Sequence, residues 1–480
     1  MKRVLFVVIC GFFLLAACRK ENPEQPQKAA APVLLSSIPA DGATAVSRKD
    51  LEIVLHFDQS VFCPVAERSK ISVQPQVEIT KITQSGADLR IALAELDYLT
   101  SYTLTLPEGC ISGYKDNIAP QLSLSFTTEE QVIVEKDVDS KLSNPNASAN
   151  AKKLYERLLG IYGEHSLSGA MGGTAWETSF TDYIQKQTGI YPAIVGFDYL
   201  FNNWPAKAWD ACPDYEDISI IRNVWKAGCV IQIGWHWNMP RSEGESNPSN
   251  FSFYNHPVQA KRVATEGTWE NAEMKRQVAQ IAGFLQLLQK EDIPVLWRPL
   301  HEAAGDYTWG AWFWWGNGGS EPCKAIWRYM YDVFTKEYGL NNLIWVWTSQ
   351  CSNAGALADV SLLKDWYPGH DCVDIVGADL YLPKGSTSSQ YFNLVNESVE
   401  GRKMVALSEF GNLPNLDENK ENDALWLYYL NWSSFENGKP VFYSKNADGS
   451  YGWNNTAQEW KAVLSSELTF NRGYLQAEEQ

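Results

Sequence analysis

Pro294-Val295-Leu296-Trp297-Arg298-Pro299-Leu300-His301-Glu302 is a nearly continuous apolar run that closes on an imidazole and a carboxylate. A strand covered on both faces reads this way, apolar at successive positions instead of alternate ones. Seven more runs share the texture: residues 166–171, 191–199, 229–237, 342–348, 373–381, 403–411 and 426–432. Amphipathic stretches lie between them, clearest at 269–290 and 325–337, where the apolar period predicts helices. Eight buried strands alternating with helices predict an α/β architecture in which residues 150–475 form a (β/α)8 TIM barrel with insertions. An open doubly wound sheet is the alternative, but no Gly-x-Gly-x-x-Gly fingerprint follows the first strand.

In such barrels the chemistry gathers at the carboxyl ends of the strands. The runs end in Gly196-Phe197-Asp198-Tyr199, Trp235-His236-Trp237, Leu300-His301-Glu302, Ala378-Asp379-Leu380-Tyr381, Leu407-Ser408-Glu409-Phe410-Gly411 and Asn431-Trp432. A purely structural barrel would end its strands in turn residues without this bias towards carboxylates, imidazoles, phenols and indoles. Taken singly, Glu302 reads as a surface carboxylate and Glu409 as a rim salt bridge. Taken together, at the ends of strands four and seven, they resemble the paired glutamates of the large clan of retaining glycosidases with barrel folds.

Residues 33–128 have a different texture. Short alternating runs such as Leu51-Glu52-Ile53-Val54-Leu55-His56-Phe57 are separated by Gly, Pro, Asp and Asn, which predicts a small all-β sandwich. Ser37-Ile38-Pro39-Ala40-Asp41-Gly42-Ala43-Thr44, with the closing Phe126-Thr127-Thr128, resembles bacterial immunoglobulin-like (Ig-like) domains. That resemblance implies a spacer; a carbohydrate-binding module is the rival, and the segment has no tryptophan. Residues 129–149 are expected to be a linker, and residues 18–32, rich in Pro and Gln, a tether. At the start, Met1-Lys2-Arg3 precedes an apolar run too short to span a bilayer comfortably, and Leu15-Ala16-Ala17-Cys18 resembles a bacterial lipoprotein processing box. The resemblance implies a signal peptide over residues 1–17 and lipidation of Cys18. It also implies anchorage in the outer membrane of a Gram-negative bacterium, at the cell surface or the periplasmic face. An ordinary secretory signal with a chance cysteine is the alternative.

Composition narrows the partner. The net charge of −17 becomes −19 once Lys2 and Arg3 leave with the signal, so there is no basic footprint for nucleic acid, and a neutral substrate is expected. Twenty Trp, 22 Tyr and 19 Phe supply either faces for sugar C–H groups or a large aromatic core, and composition does not choose. Beyond Cys18 there are seven cysteines (Cys63, Cys110, Cys212, Cys229, Cys323, Cys351 and Cys372), so at least one stays a free thiol. Their scatter lacks zinc-type spacing. No metal and no cofactor are expected, and the chain is expected to be a monomer.

Five motifs in order carry a wider resemblance: Tyr191-Pro192-Ala193-Ile194-Val195-Gly196-Phe197-Asp198, Trp235-His236-Trp237-Asn238-Met239-Pro240, Trp297-Arg298-Pro299-Leu300-His301-Glu302, Trp312-Phe313-Trp314-Trp315-Gly316 and Leu407-Ser408-Glu409-Phe410-Gly411. Together they resemble glycoside hydrolase family 26, a β-mannanase-like family of the clan A retaining glycosidases. Residues 303–310 depart from the pattern by lengthening the stretch between Glu302 and Trp312. The resemblance implies Glu302 as general acid/base and Glu409 as nucleophile. It also implies Tyr381 as the phenol on the nucleophile, His236 as a substrate contact, Trp432 as a platform beneath the reacting sugar and Trp312 as a neighbouring wall. The implied substrate is neutral β-1,4-mannan, polysaccharide or oligosaccharide, cut internally; β-1,3-xylan and mixed-linkage β-glucan are minority activities. A surface glycan-binding lipoprotein with an inactive barrel, or an adhesion protein, are readings of another class.

The chemistry sets conditions of its own. One carboxyl must be neutral while the other is ionised, and a retaining pair should lie about 5–5.5 Å apart. Strict alternation would send His301 and Glu302 to opposite faces, so both reach one site only at a bulge or beyond the last ladder bond. His301 could then position Glu302, bind sugar or sit as a core histidine. Arg298, of the same parity as Glu302, is expected to steady the carboxylates or to form a structural ion pair. His236 and Asp198 are candidates for reading the axial 2-hydroxyl of mannose, and the stretches 238–268 and 308–322 are long enough to open or block a cleft.

Overall fold

The computed structural model describes residues 30–49, 51–114, 117–131, 133–254, 257–353 and 356–474. The expected signal peptide, Cys18 and the tether as far as residue 29 lie outside the described residues. The described chain divides into two compact units: residues up to Ala94 with Ser101–Thr128, and Glu95–Thr100 with the remainder from Glu129.

The first unit is a sandwich of two four-stranded sheets. One pairs Leu34–Ile38, Glu52–Phe57, Asp88–Leu93 and Ile79–Ser85 in that order; the other pairs Ala43–Val46, Leu122–Thr128, Ser101–Leu106 and Ser72–Gln74. Alternation selects the inner face: Ile53, Leu55 and Phe57 are buried while Glu52 and His56 are exposed. Register aligns these apolar positions, Ile53 opposite Ile91 and Leu55 opposite Leu89. Leu104, Leu124 and Phe126 supply buried positions from the second sheet.

The second unit is built on eight parallel strands: β1 (Ser166–Met171), β2 (Ile194–Asp198), β3 (Val230–Trp235), β4 (Val295–Pro299), β5 (Leu343–Ser349), β6 (Ile375–Leu380), β7 (Met404–Phe410) and β8 (Tyr428–Asn431). β8 pairs with β1 and closes the ring. Nearly every strand position is buried, because one face fills the barrel and the other packs on helices. Leu167, Ile194, Val230, Leu296, Ile344, Ile375, Met404 and Tyr428, one from each strand, share one apolar cluster with Leu154 and Leu158 of the helix Ala149–Ile161.

The strands are shorter than the apolar runs suggested. Trp237 and Leu300 lie beyond their ladders yet are fully buried, so hydrophobicity continues past the last strand hydrogen bond and does not mark it. The helix at 269–290 runs Trp269–Gln289, with Thr268 accepting a hydrogen bond from the Asn271 amide as its cap. Within the stretch expected as a linker, residues 137–139 are held along the barrel. The amides of Asp137 and Asp139 donate to the Gly401 and Arg402 carbonyls, and Asp139 pairs with the buried Lys403 at 2.7 Å. All seven described cysteines are buried and unbridged. Trp235, Trp237, Trp297, Trp314, Trp315, Trp327, Trp345, Trp347, Trp426 and Trp460 are buried below 2 % exposure, so much of the tryptophan excess went to the core.

Candidate active site

Two departures from regular strand geometry create the site. The β4 ladder stops at Pro299, and both Leu300 (φ 50°) and Glu302 (φ 48°) occupy the left-handed region. For residues with a Cβ that conformation costs about 1–2 kcal/mol each, so it survives only where neighbours enforce it. Trp315 Nε1 donates to the His301 carbonyl at 2.8 Å, and the Gly305 amide donates to the Glu302 carbonyl at 3.0 Å. Because the chain has left the pleat, strand parity no longer applies: His301 and Glu302 both line one cleft of about 390 Å³.

On the other side, the pairing of β6 with β7 slips by one residue: Ala378 faces Leu407, but Asp379 faces Glu409. The extra residue is Ser408, whose hydroxyl donates to the Ala378 carbonyl at 3.2 Å and to Asp379 Oδ1 at 2.7 Å. This bulge turns Glu409 into the barrel mouth. It needs Gly377 opposite, where a Cβ would meet Ser408 Oγ at 2.2 Å.

The two glutamates have unlike neighbours. Glu409 is 4 % exposed and receives hydrogen bonds on both oxygens: Oε1 from Arg298 Nη2, and Oε2 from the Tyr381 hydroxyl at 2.9 Å. Arg298, itself buried, also donates through Nη1 to Asp379 and Thr348, each at 3.0 Å. Glu302 receives one hydrogen bond from Trp312 Nε1, at 2.8 Å on Oε2. Burial raises its pKa from the ordinary 4.5 to about 8, with the Asp379 charge adding to the rise and Trp312 and Arg298 opposing it. Burial, with the charges of Glu302 and Asp379, raises the Tyr381 phenol far above its usual range, so it stays a donor. One oxygen from each of Glu302, Asp379 and Glu409 lies within 4.8 Å of the others.

Among the described residues these three carboxylates are the group spaced to hold a metal ion. Two of them are already bridged by the Arg298 guanidinium, which supplies the positive charge that a cation would bring. Removing one partner of such a buried pair would cost about 3–5 kcal/mol, through the charge left uncompensated.

The remaining expected residues fall into two groups. His236 and Trp432 line the cleft, their ring centroids 5.4 Å apart. Trp312 is 38 % exposed and reaches the cleft through its bond to Glu302. Asp198, in contrast, is 2 % exposed and spends both oxygens on His236, at 3.0 Å on the backbone amide and 2.8 Å on Nδ1. It is a support behind His236 and does not face the cleft; its carboxylate fits because Gly234 has no Cβ, which would stand 2.8 Å from Oδ2. With Nδ1 of His236 donating to Asp198, its Nε2 is left to accept from His301 Nε2 at 3.3 Å. Burial holds His301 well below the ordinary histidine pKa, so it is neutral, and its hydrogen bond goes to His236 and not to Glu302.

Asp379, Ser408 and Thr348 were not among the expected residues. Asp379 had a usable signal, since it shares parity with Tyr381 on one strand end. Phe253 and Phe313 also line the cleft, and Phe253 comes from the 238–268 insertion, whose conformation no period in the sequence defines.

Comparison with known proteins identifies the family. A mannan endo-1,4-β-mannosidase of Thermothelomyces thermophilus is 33 % identical over 303 residues, 62 % of this chain and 58 % of that protein. The chain spans about half the length of the curated relatives it matches. Among solved structures, the family 26 domain of a Prevotella bryantii endo-β-mannanase/endo-β-glucanase superposes with a TM-score of 0.60 at 30 % identity, covering 70 % of this chain and 99 % of that one. A β-mannanase from a symbiotic protist of the termite Reticulitermes speratus, solved with gluco-manno-oligosaccharide, gives 0.58 at 32 % identity over 71 % of this chain and 99 % of that one. Residues 28–128 match the bacterial Ig-like domain, and residues 143–452 match the model of glycosyl hydrolase family 26. The chain belongs to glycosyl hydrolase family 26.

Proposed function

We propose that the chain hydrolyses β-1,4-linked mannan internally, with retention of anomeric configuration, Glu302 serving as general acid/base and Glu409 as nucleophile. The observation that carries this reading is the asymmetry of two neighbouring carboxyls. Oxygens within 4.8 Å fit the spacing of about 5–5.5 Å between carboxyls expected when the second attacks the sugar directly and no water intervenes.

Glu302, raised to about 8, holds its proton at neutral pH and delivers it to the leaving oxygen. Glu409, with two donors on its oxygens, is presented as a carboxylate and forms an ester at the anomeric carbon. Once that ester forms, Arg298 has lost an anionic partner, and its less compensated charge favours ionised Glu302. Glu302 then takes a proton from the water that breaks the ester. His236, steadied by Asp198 and His301, reaches the cleft where the reacting sugar would sit, and Trp432 offers its ring as a platform.

The names of the relatives support mannan as the polysaccharide. Product and anomer analysis by NMR on mannan, glucomannan, mixed-linkage β-glucan and β-1,3-xylan tests it. Retained β-manno-oligosaccharides are expected, with Glu302→Gln and Glu409→Gln inactive. Cleavage of xylan or glucan alone would move the substrate, and binding without cleavage would leave a glycan-binding protein. The lipid anchor at Cys18, and with it an outer-membrane location, is also proposed from the Leu15-Ala16-Ala17-Cys18 motif. Radiolabelled palmitate should enter the wild type and not Cys18→Ser.

A further inference from the structure

Of the seven described cysteines, Cys63 and Cys110 belong to the sandwich and the other five to the barrel unit. The fold brings those two together although most of the sandwich lies between them in sequence. The short strands Val61–Phe62 and Ser112–Gly113 pair antiparallel, with Val61 opposite Gly113 and Phe62 opposite Ser112. One step further in that register sets Cys63 opposite Ile111, and Cys110 is the next residue. Strands about 5 Å apart with a rise of about 3.4 Å per residue put the two Cα atoms about 6 Å apart, inside the span of a disulfide. Both side chains turn inward, Cys63 being 1 % exposed and Cys110 0 %. At Cys110 the pleat has given way to a turn, its amide donating to the Pro107 carbonyl at 3.1 Å, so strand alternation does not send the two side chains apart. The single-turn helix Val65–Arg68 touches both residues: Cys110 Sγ lies 3.7 Å from the Glu67 carbonyl, and Arg68 Nε donates to the Cys63 carbonyl at 3.4 Å. Burial raises both thiols above their ordinary pKa; at Cys63, Arg68 opposes the rise and the charge of Cys110 adds to it, which puts the two sulfurs within electrostatic reach of each other.

We propose that Cys63 and Cys110 form a disulfide that staples the sandwich when the chain folds in an oxidising compartment. The oxidant is an external disulfide, small or carried by a thiol oxidoreductase, which the export proposed above would bring within reach. The Cys63 thiolate attacks one sulfur of that disulfide, breaking its S–S bond and releasing one thiolate. The Cys110 thiolate then attacks Cys63 Sγ, forms the internal bond and expels the second thiolate. The two cysteine protons pass to the leaving thiolates or to water, and the two electrons end on the oxidant, now reduced to two thiols. The closed fold keeps both thiols protonated and covered, so the exchange takes place before the sandwich closes. The bond closes a loop that contains strands of both sheets, Ser72–Gln74 and Ser101–Leu106 from one and Ile79–Ser85 and Asp88–Leu93 from the other. It thereby restrains the unfolded form of a domain whose own core is small.

Mass spectrometry of the full chain, secreted into the periplasm of a bacterial host, unfolded in iodoacetamide and digested without reduction, tests the bond. A linked pair of peptides holding Cys63 and Cys110, two hydrogens lighter than their sum, is expected. Alkylation of both sulfurs, or a bond from either to another cysteine, overturns the proposal. The mapping needs no variant, so it decides even if a substituted chain does not fold. In calorimetry, a reductant should lower the melting temperature of the sandwich by about 10 °C in the wild type and leave the doubly substituted Cys63→Ser, Cys110→Ser chain unmoved. An equal response of the two proteins overturns the staple. Cleavage of mannan rests on the barrel glutamates, so either result leaves the mannanase reading standing.

Discussion

The ends of β4 and β7 present the same side chain in opposite surroundings. At β4, Glu302 sits on a backbone in the left-handed region with a single indole donor, and burial dominates its chemistry. At β7, Glu409 sits just past a bulge, with a guanidinium and a phenol pointed at its oxygens. The difference teaches that the roles of acid and nucleophile are not properties of glutamate. They follow from what the neighbouring strands place around it.

The sharpest way to break this comparison is to remove each carboxyl in turn. Glu409→Ala should lose ~10^4-fold or more in kcat on every substrate, the scale on which a reacting nucleophile matters. Glu302→Ala should lose about 10²- to 10⁴-fold on mannan but much less on aryl mannosides, whose leaving groups need little protonation. If the two variants respond alike to leaving group, the roles proposed here are wrong. Next comes the bulge. Gly377→Ala should push Ser408 and displace Glu409, costing about 100-fold in kcat with far less effect on oligosaccharide binding, since small misplacements of a reacting group cost that much. Tyr381→Phe removes one donor to a charged oxygen and should cost about tenfold or more in kcat/KM; a change in KM alone would sink its role at the nucleophile.

Smaller effects sharpen the β4 side. Because Glu302 must be protonated, kcat/KM should fall as pH rises through about 8. Trp312→Phe deletes a bond that favours the ionised form, so the alkaline limb should move to higher pH; a shift downward contradicts the assignment. The smallest effect is on stability. Glu302 keeps its proton in the fold up to about 8, whereas in the unfolded chain it ionises near 4.5, so its contribution is full below 4.5 and is lost as pH rises through 8. The Tm of Glu302→Gln should therefore gain on wild type between about pH 5 and 8 and level off above, as calorimetry can show.

Much of this was legible in the linear chain. Strands with both faces covered announce themselves as unbroken apolar runs, and a barrel's chemistry is confined to their carboxyl ends, which is why Glu302, Glu409, Tyr381 and His236 stood out. What was misplaced or missed depended on contacts between strands far apart in the chain. Asp198 was a candidate for the sugar's 2-hydroxyl, yet its oxygens are turned onto His236; Arg298, expected to steady the carboxylates or form an ion pair, bonds Glu409 and Asp379. Parity holds only while the pleat continues, and at this rim it is interrupted twice.

The sequence by itself determined the two-domain organisation, the barrel and the pair of glutamates, because hydrophobic periodicity and the chemistry of a residue type are local properties. Only the tertiary structure decided which carboxyl is buried towards neutrality and which is ringed by donors. Those neighbours come from strands up to 111 positions apart in the chain, and the left-handed turn and the bulge that aim the side chains are enforced by packing.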